Sequence, residues 1–247
     1  MQDVEDGFGQ RALRRVSARL LLLALTLAAP ASAAERRLSL GSFERIRVEG
    51  PFAVTLTTGK SPGGTVTGDA RAIERVEVRQ DGGTVAVRGV ADEARAGPRR
   101  DDAPPLRIAL ATTSLASAVV QGGGSLAIIG GRAQRLDLSI AGPGALTLAG
   151  ADAEQVNALV VGTGAMILAG RAARARLGLN GAGTIAADKL DAGDLSVHLD
   201  GPGEVKGKAR YTAAVTNSGL GHVVVTGSAR CVVKSAGSSV VICGAGQ

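Results

Sequence analysis

Apolar and polar residues alternate over most of the chain, and the alternation keeps one phase relative to a recurring glycine. Leu136, Leu138 and Ile140 stand six, four and two positions before Gly142, and polar residues such as Asp137 fall between them. A period of two predicts half-buried β-strands. No stretch shows a sustained period of 3.6 residues, so the pattern favours an all-β chain.

Short glycine turns separate these strands at a nearly constant spacing. Their first glycines follow one another at 20, 20, 19, 20 and 18 residues, and a seventh mark, Gly237, comes 18 residues later. Each repeat therefore predicts a strand, a G-x-G turn, a second strand and a second turn. Glycine suits such a bend because it tolerates positive φ and leaves room beside a neighbouring coil. We assign a structural role to the turn glycines Gly122, Gly124, Gly142, Gly144, Gly162, Gly164, Gly181, Gly183, Gly201, Gly203, Gly219 and Gly221.

One such repeat cannot bury its apolar face alone, whereas stacked repeats can, because like residues pile into columns. The sequence therefore predicts a parallel β-helix (β-solenoid) of about seven coils. Ile140, Val160, Leu179 and Leu199 should form one internal column.

The region before the regular repeats has a different pattern. Residues 35–110 predict short strands that cap or begin the same solenoid, with Gly82-Gly83 as a hairpin turn. Residues 91–105 are charged and proline-bearing, which is typical of a mobile surface loop. Residues 111–247 hold the repeat coils, so we expect a single domain over residues 34–247.

The N-terminus is typical of a secretory signal peptide over residues 1–33. Arg11, Arg14, Arg15 and Arg19 precede a short apolar run from Leu20 and a small-residue cleavage site. The run is too short for a membrane-spanning stop-transfer helix. We expect Sec export to the periplasm, the cell surface or the medium, with no transmembrane segment in the mature chain.

Composition excludes one class of partner. The net charge is +6, but the 28 basic and 22 acidic residues are scattered, and the chain has three Phe, one Tyr and no Trp. A nucleic-acid surface needs a basic stripe or stacking aromatics, so nucleic-acid binding is not expected.

The chain resembles the bacterial envelope family described as putative auto-transporter adhesins with a head GIN domain. The resemblance covers residues 38–246 and rests on the segment Phe43-x-x-Ile46-x-Val48-x-Gly50 and on repeats such as Leu177-x-Leu179-Asn180-Gly181. It implies a parallel β-helix of the periplasm or surface, without catalytic residues to transfer.

The residues that could form a metal or catalytic site have a simpler, structural interpretation. His198 points outward from a strand and His222 follows a turn glycine, so a shared metal is not expected. No metal, nucleotide or nucleophile motif appears, and we expect no cofactor. The acids between Asp188 and Glu204 could serve a carbohydrate-active enzyme, which needs paired carboxylates, but a solvated turn explains them more simply.

The two cysteines occupy matching positions in the last coil. Cys231 lies six residues before Gly237 and Cys243 six after it, both in the inward phase. Export permits a disulfide, although opposite sheets stand about 10 Å apart and the coil must narrow for the bond to form. We favour a disulfide that closes this coil over two buried thiols.

These observations favour an exported, non-enzymatic envelope protein, either an adhesin-like binding module or a periplasmic scaffold. Its partner would be a protein or polysaccharide of the envelope, and self-association end to end or side by side is open. Two alternatives are a carbohydrate-active β-helix enzyme using the Asp188–Glu204 region and a self-polymerising scaffold similar to bactofilins.

Overall fold

The computed structural model describes residues 34–90, 106–236 and 239–244. The predicted signal peptide, the predicted loop 91–105 and the seventh mark at Gly237 lie outside the described residues. Within these ranges 72% of the residues are in strands. This confirms the predicted all-β class.

The described chain forms seventeen strands and one short helix. In chain order they are β1 Ala34–Leu38, β2 Arg45–Glu49, β3 Ala53–Thr58, β4 Gly63–Gly68, α1 Ala70–Glu74, β5 Val76–Asp81, β6 Thr84–Gly89, β7 Arg107–Thr112, β8 Ser117–Gln121, β9 Ser125–Ile129, β10 Arg132–Ala141, β11 Ala145–Val161, β12 Ala165–Asn180, β13 Thr184–Asp200, β14 Glu204–Asn217, β15 His222–Thr226, β16 Arg230–Ser235 and β17 Val240–Cys243.

The strands wind into a β-solenoid of about six turns, which confirms the predicted architecture. The sequence predicts about seven coils, and the structure has about six turns. One sheet, called the leading sheet, contains the strands that lead into a glycine corner together with β6 and β16, which pair with them: β6, β2, β8, β10, the C-terminal parts of β11 to β14, and β16. The other, the trailing sheet, contains the strands that follow a glycine corner together with β7 and β17: β7, β3, β9, the N-terminal parts of β11 to β14, β15 and β17.

The core consists of columns of aliphatic side chains that repeat once per turn. In the parallel register Ile140 stands beside Val160, Val160 beside Leu179, and Leu179 beside Leu199. All four side chains are fully buried. The predicted column is therefore present, and each turn buries its aliphatic residues against the turn before it.

The N-terminal part departs from simple winding. β2 lies between β6 and β8, and β3 lies between β7 and β9, so the first coil in the chain is the second coil in the stack. β4 runs antiparallel to β7, β1 antiparallel to β4, and β5 antiparallel to β6. α1 begins after Asp69, whose carboxylate accepts hydrogen bonds from the backbone N–H groups of Arg71 and Ala72. The early strands thus both begin the solenoid and cap its N-terminal end.

Two different requirements explain the paired glycines of a corner. The first glycine has positive φ at five successive corners, reaching +124° at Gly201, a conformation that other residues rarely adopt. The second, exemplified by Gly203, has ordinary φ, but a Cβ there would lie 2.6 Å from the carbonyl oxygen of Gly183. Gly219 differs from the earlier first glycines because its φ lies outside the positive range.

The last described coil is formed by β16 and β17. A disulfide joins Cys231 to Cys243, and their Cα atoms are 6.3 Å apart. This distance lies within the range that disulfides require, so the two sheets approach each other at this end. Both cysteines are half-buried and pack against the edge of the core.

Candidate binding face

The outer surfaces of the two sheets differ in chemistry. Over four consecutive coils the trailing sheet presents only small or uncharged side chains: Ala53, Thr55, Thr57, Ser125, Ala127, Ile129, Ala145, Thr147, Ala149, Ala165, Ile167 and Ala169. The leading sheet presents charged and amide side chains along the same coils. Directed polar contacts with a partner are therefore concentrated on the leading sheet.

An open groove of about 540 Å³ crosses the outer surface of the leading sheet, from β8 to β13. We call it the leading-sheet groove. It follows one outward column of polar side chains, Ser117, Asp137, Asn157, Arg176 and Ser196, which neighbour one another in register. Successive coils are separated by about 4.8 Å, so the groove extends about 19 Å across five strands.

A glycine in the adjacent column gives the groove its depth. Gly178 lies between Leu159 on the coil before and His198 on the coil after. A Cβ at Gly178 would approach Leu159 Cδ1 at 3.1 Å, and the backbone there has no positive φ. A side chain at position 178 is therefore compatible with the backbone but would fill the groove.

Hydrogen bonds hold the first half of the polar column in one arrangement. Arg135 Nε donates to the Asp137 carboxylate at 3.0 Å, and Asn157 Nδ2 donates to Asp137 Oδ1 at 2.6 Å. Gln155 Nε2 in turn donates to Asn157 Oδ1 at 2.8 Å. The positive charge of Arg135 is thus offset by Asp137, and the network orders this part of the groove before any ligand arrives.

The second half of the groove carries a cation without an internal counter-ion. Within the described ranges Arg176 forms no ion pair, and its side chain is exposed. His198 and Ser196 border the same stretch and supply hydrogen-bonding groups. An acidic group placed here could accept charge-assisted hydrogen bonds from the guanidinium.

The two histidines lie on different sheets. His198 belongs to the leading-sheet groove, whereas His222 begins β15 on the trailing sheet, beside Glu204 and Pro202. No cluster of three or more potential metal ligands occurs in the described part of the chain.

The acids proposed for the enzyme alternative are engaged by neighbouring side chains. Asp191 pairs with Lys208 and Arg210 at 4.0 and 3.6 Å. Asp194 accepts a hydrogen bond from Thr212 Oγ1 at 2.6 Å. The structure places both acids inside strand β13 rather than in a turn, and these contacts engage them with side chains of the next coil.

Glu204 is engaged in the same way on the trailing sheet. It pairs with Lys206 at 2.9 Å, and the hydrogen bond that Lys206 Nζ donates to the Glu204 carboxylate raises the pKa of that ammonium group. The acids of the Asp188–Glu204 region thus lie on two different strands: Asp191 and Asp194 are in β13, and Glu204 begins β14.

Sequence reasoning missed the groove, although it placed His198 on the outer surface. The signal lies in the outward positions of the aligned repeats. That alignment brings Asp137, Asn157 and Arg176 into one column.

The family model described as "Putative auto-transporter adhesin, head GIN domain" matches residues 42–229. The chain belongs to this family. The resemblance drawn from the opening strands and the glycine repeats is thereby confirmed. No curated protein matches this head GIN chain.

Solved structures share the head GIN fold at low identity. A crystal structure described as a putative adhesin from Bacteroides fragilis NCTC 9343 has a TM-score of 0.74 at 18% identity, over 86% of this chain and 97% of its own. One described as a putative lipid binding protein from Parabacteroides distasonis ATCC 8503 has a TM-score of 0.67 at 16% identity, over 85% and 95%. At these identities the likeness shows the fold alone.

Among the described residues of this head GIN chain, no helix has the length and apolar character needed to span a bilayer.

Proposed function

We propose that this chain is an exported, non-enzymatic binding module of the cell envelope that holds an extended acidic polymer in the leading-sheet groove. The observation that carries the proposal is Arg176, an exposed cation that forms no ion pair with any described residue and lies in a groove of hydrogen-bonding side chains. Membership of an adhesin-like family supports a binding role. The signal-peptide pattern in residues 1–33 supports export.

Acidic character follows from what the groove offers. Among the described residues its lining contains no Phe, Tyr or Trp ring, so a neutral sugar would gain little stacking energy there. Arg176 and the ordered amides of the column instead suit a ligand with carboxylate, phosphate or sulfate groups at intervals. Polar contacts from five coils suit a ligand that lies along the solenoid axis.

The proposal is tested by calorimetric titration of the purified full chain with polygalacturonate, polyglutamate and neutral amylose. We expect an acidic polymer to bind and amylose not to bind, and the two acidic probes distinguish a polysaccharide ligand from a protein ligand. Affinity should fall with rising salt, because surface charges are screened.

Two variants test whether the polymer binds in the leading-sheet groove. Arg176→Gln removes the free cation, and Gly178→Thr fills the depression beside Leu159 without requiring an unusual φ. Ala165→Thr is the matched control, since it places the same threonine side chain at an outward position of the trailing sheet. Failure of both acidic polymers to bind, or equal binding by all variants, would contradict the proposal.

The same mixtures test the enzyme alternative. Release of reducing sugar ends by the wild-type chain, lost in Asp191→Asn and Asp194→Asn, would identify a carbohydrate-active enzyme instead.

A further inference from the structure

The two ends of the solenoid have different edges. At the N-terminal end β1 and β5 are the outermost strands, and they carry charged side chains such as Arg37, Glu77 and Arg79. At the C-terminal end the outermost strands are β16 and β17, whose side chains are largely apolar. Val232 and Ile242 are 63% and 59% exposed, and the inward-phase Val233 is 42% exposed.

Backbone groups at this end also lack a partner strand within the described residues. Ala236 N donates to Asn217 O, Val240 N to Gly221 O, and Gly244 N to Val225 O, so these residues face the preceding coil. In a parallel ladder alternate residues face opposite neighbours. The N–H and C=O groups of Cys231, Val233, Ser235, Val241 and Cys243 therefore point out of the end of the solenoid.

Flat apolar edges with free backbone groups are surfaces that pair with another strand. The described part of the chain contains no strand or helix that covers them. We propose that two copies of this chain pair tail to tail, edge to edge, through β16 and β17 about a twofold axis.

The geometry of the solenoid favours a second copy over a single added strand. A twofold axis perpendicular to both sheets reverses the direction of every strand but keeps each sheet in its own plane. One rotation therefore sets β16 antiparallel to its copy in the leading sheet and β17 antiparallel to its copy in the trailing sheet. A lone partner strand would satisfy only one of the two edges.

The disulfide sets the register of both pairings together. Val233 lies two residues after Cys231, and Val241 lies two residues before Cys243, so the two valines stand opposite each other within the last coil. An axis through Val233 and Val241 brings each valine against its own copy. The backbone N–H and C=O groups of these valines also point out of the end of the solenoid. The same register therefore allows both apolar contact and hydrogen bonding.

Charge selects this register over its neighbour. With the axis at Val233, Lys234 stands opposite Val232 of the second copy. With the axis at Val232, Lys234 would stand opposite Arg230 of the second copy, and like charges directly opposite each other destabilise a sheet.

The dimer is closed, because the charged antiparallel strands of the N-terminal cap do not offer a matching edge. This differs from the open filament expected of a bactofilin-like scaffold. Since the axis is normal to the sheets, the leading-sheet grooves of both copies would face the same side, where one long polymer could engage both. The pairing itself does not depend on what the groove binds.

Sedimentation velocity of the full chain over about a hundredfold concentration range tests the dimer, since its population must follow mass action. We expect the mass to move from one chain to two and no further. Val232→Lys should raise the dissociation constant about tenfold or more, because it sets two lysines opposite each other. Val232→Glu should lower it, because the carboxylate meets Lys234 of the second copy. Ile167→Lys, an outward change on the trailing sheet, should leave it unchanged.

Cross-linking of a mixture of ¹⁴N- and ¹⁵N-labelled chains locates the contact. An amine-reactive cross-linker should join Lys234 of one copy to Lys234 of another, and it should not join Lys234 to Lys60 near the capped end. A single-chain mass at every concentration would overturn the proposal, and so would equal effects of Val232→Lys and Val232→Glu. Larger oligomers with links between Lys234 and Lys60 would show head-to-tail stacking instead.

Discussion

Gly203 faces the carbonyl oxygen of Gly183, the equivalent residue one coil earlier, so closely that a Cβ on Gly203 would lie 2.6 Å from that oxygen. It would also lie 2.6 Å from Leu179 Cδ2 in the core. Since real Cβ atoms do not approach backbone oxygen this closely, the corners of successive coils can stack only when this position has no side chain. The same contact recurs between Gly183 and Gly164 at 2.5 Å.

We therefore expect Gly203→Ala to destabilise the chain by about 2 kcal/mol, as overpacking of a tight contact typically does. Gly123→Ala is the matched control. A Cβ at Gly123, the middle residue of another corner, meets nothing within 4 Å, and the backbone there has no positive φ. Chemical denaturation of both variants measures the difference. Equal midpoints would show that the corner relaxes without cost.

The core column predicts a contrast between two leucines. Leu179 is fully buried between Val160 and Leu199, whereas Leu159 is 42% exposed in the leading-sheet groove. Leu179→Ala should cost about 3 kcal/mol through lost burial and an unfilled cavity. Leu159→Ala should cost less than about 1 kcal/mol, as surface substitutions generally do. Thermal and urea unfolding of both variants tests the column, and similar losses would contradict it.

The disulfide between Cys231 and Cys243 predicts local rather than global protection. Closing a loop of this length is worth about 3 kcal/mol in the chain-entropy model. We expect the native chain to contain no free thiol. In Cys231→Ser/Cys243→Ser, amide exchange in β16 and β17 should quicken about a hundredfold, with the amides of β12 and β13 as an internal control. Uniform acceleration in all coils would show that the last coil supports the whole solenoid.

A surface ion pair makes a prediction about pH. The hydrogen bond and charge of Arg171, at 3.0 Å, hold the pKa of the Asp152 carboxyl below its usual value, with a smaller contribution from Arg132. A lowered pKa means that the folded state favours the ionised carboxylate. The associated stability is therefore present above the pKa of the unfolded chain and is lost as pH falls through the folded pKa.

NMR titration of the Asp152 carboxyl carbon measures this effect. Arg171→Gln should raise the pKa of Asp152 towards its ordinary value. Arg132→Gln, the matched control on the opposite neighbouring coil, should raise it less. A larger effect of Arg132→Gln would show that the coil before, not the coil after, holds the carboxylate.

Much of the architecture could be predicted because each coil repeats the local surroundings of the one before. The strand register follows from the spacing of the turn glycines and from the phase of the inward residues, such as Leu177 and Leu179. A strand displaced by one residue would expose its aliphatic face. The groove could not be read from one repeat. Leu159, Gly178 and His198 are about 20 residues apart in sequence and meet only when three coils are stacked.

The sequence by itself determined the all-β class, the coil period, the glycine corners and the inward column of aliphatic residues, because these depend on local alternation and on contacts between consecutive coils. Only the tertiary structure decided that β6 and β7 lie outside β2 and β3, since the partner of an early strand is chosen among several similar edges. It also decided that the two outer surfaces differ and that one end is capped while the other exposes β16 and β17. These properties belong to the stacked assembly, in which side chains from distant repeats share one surface.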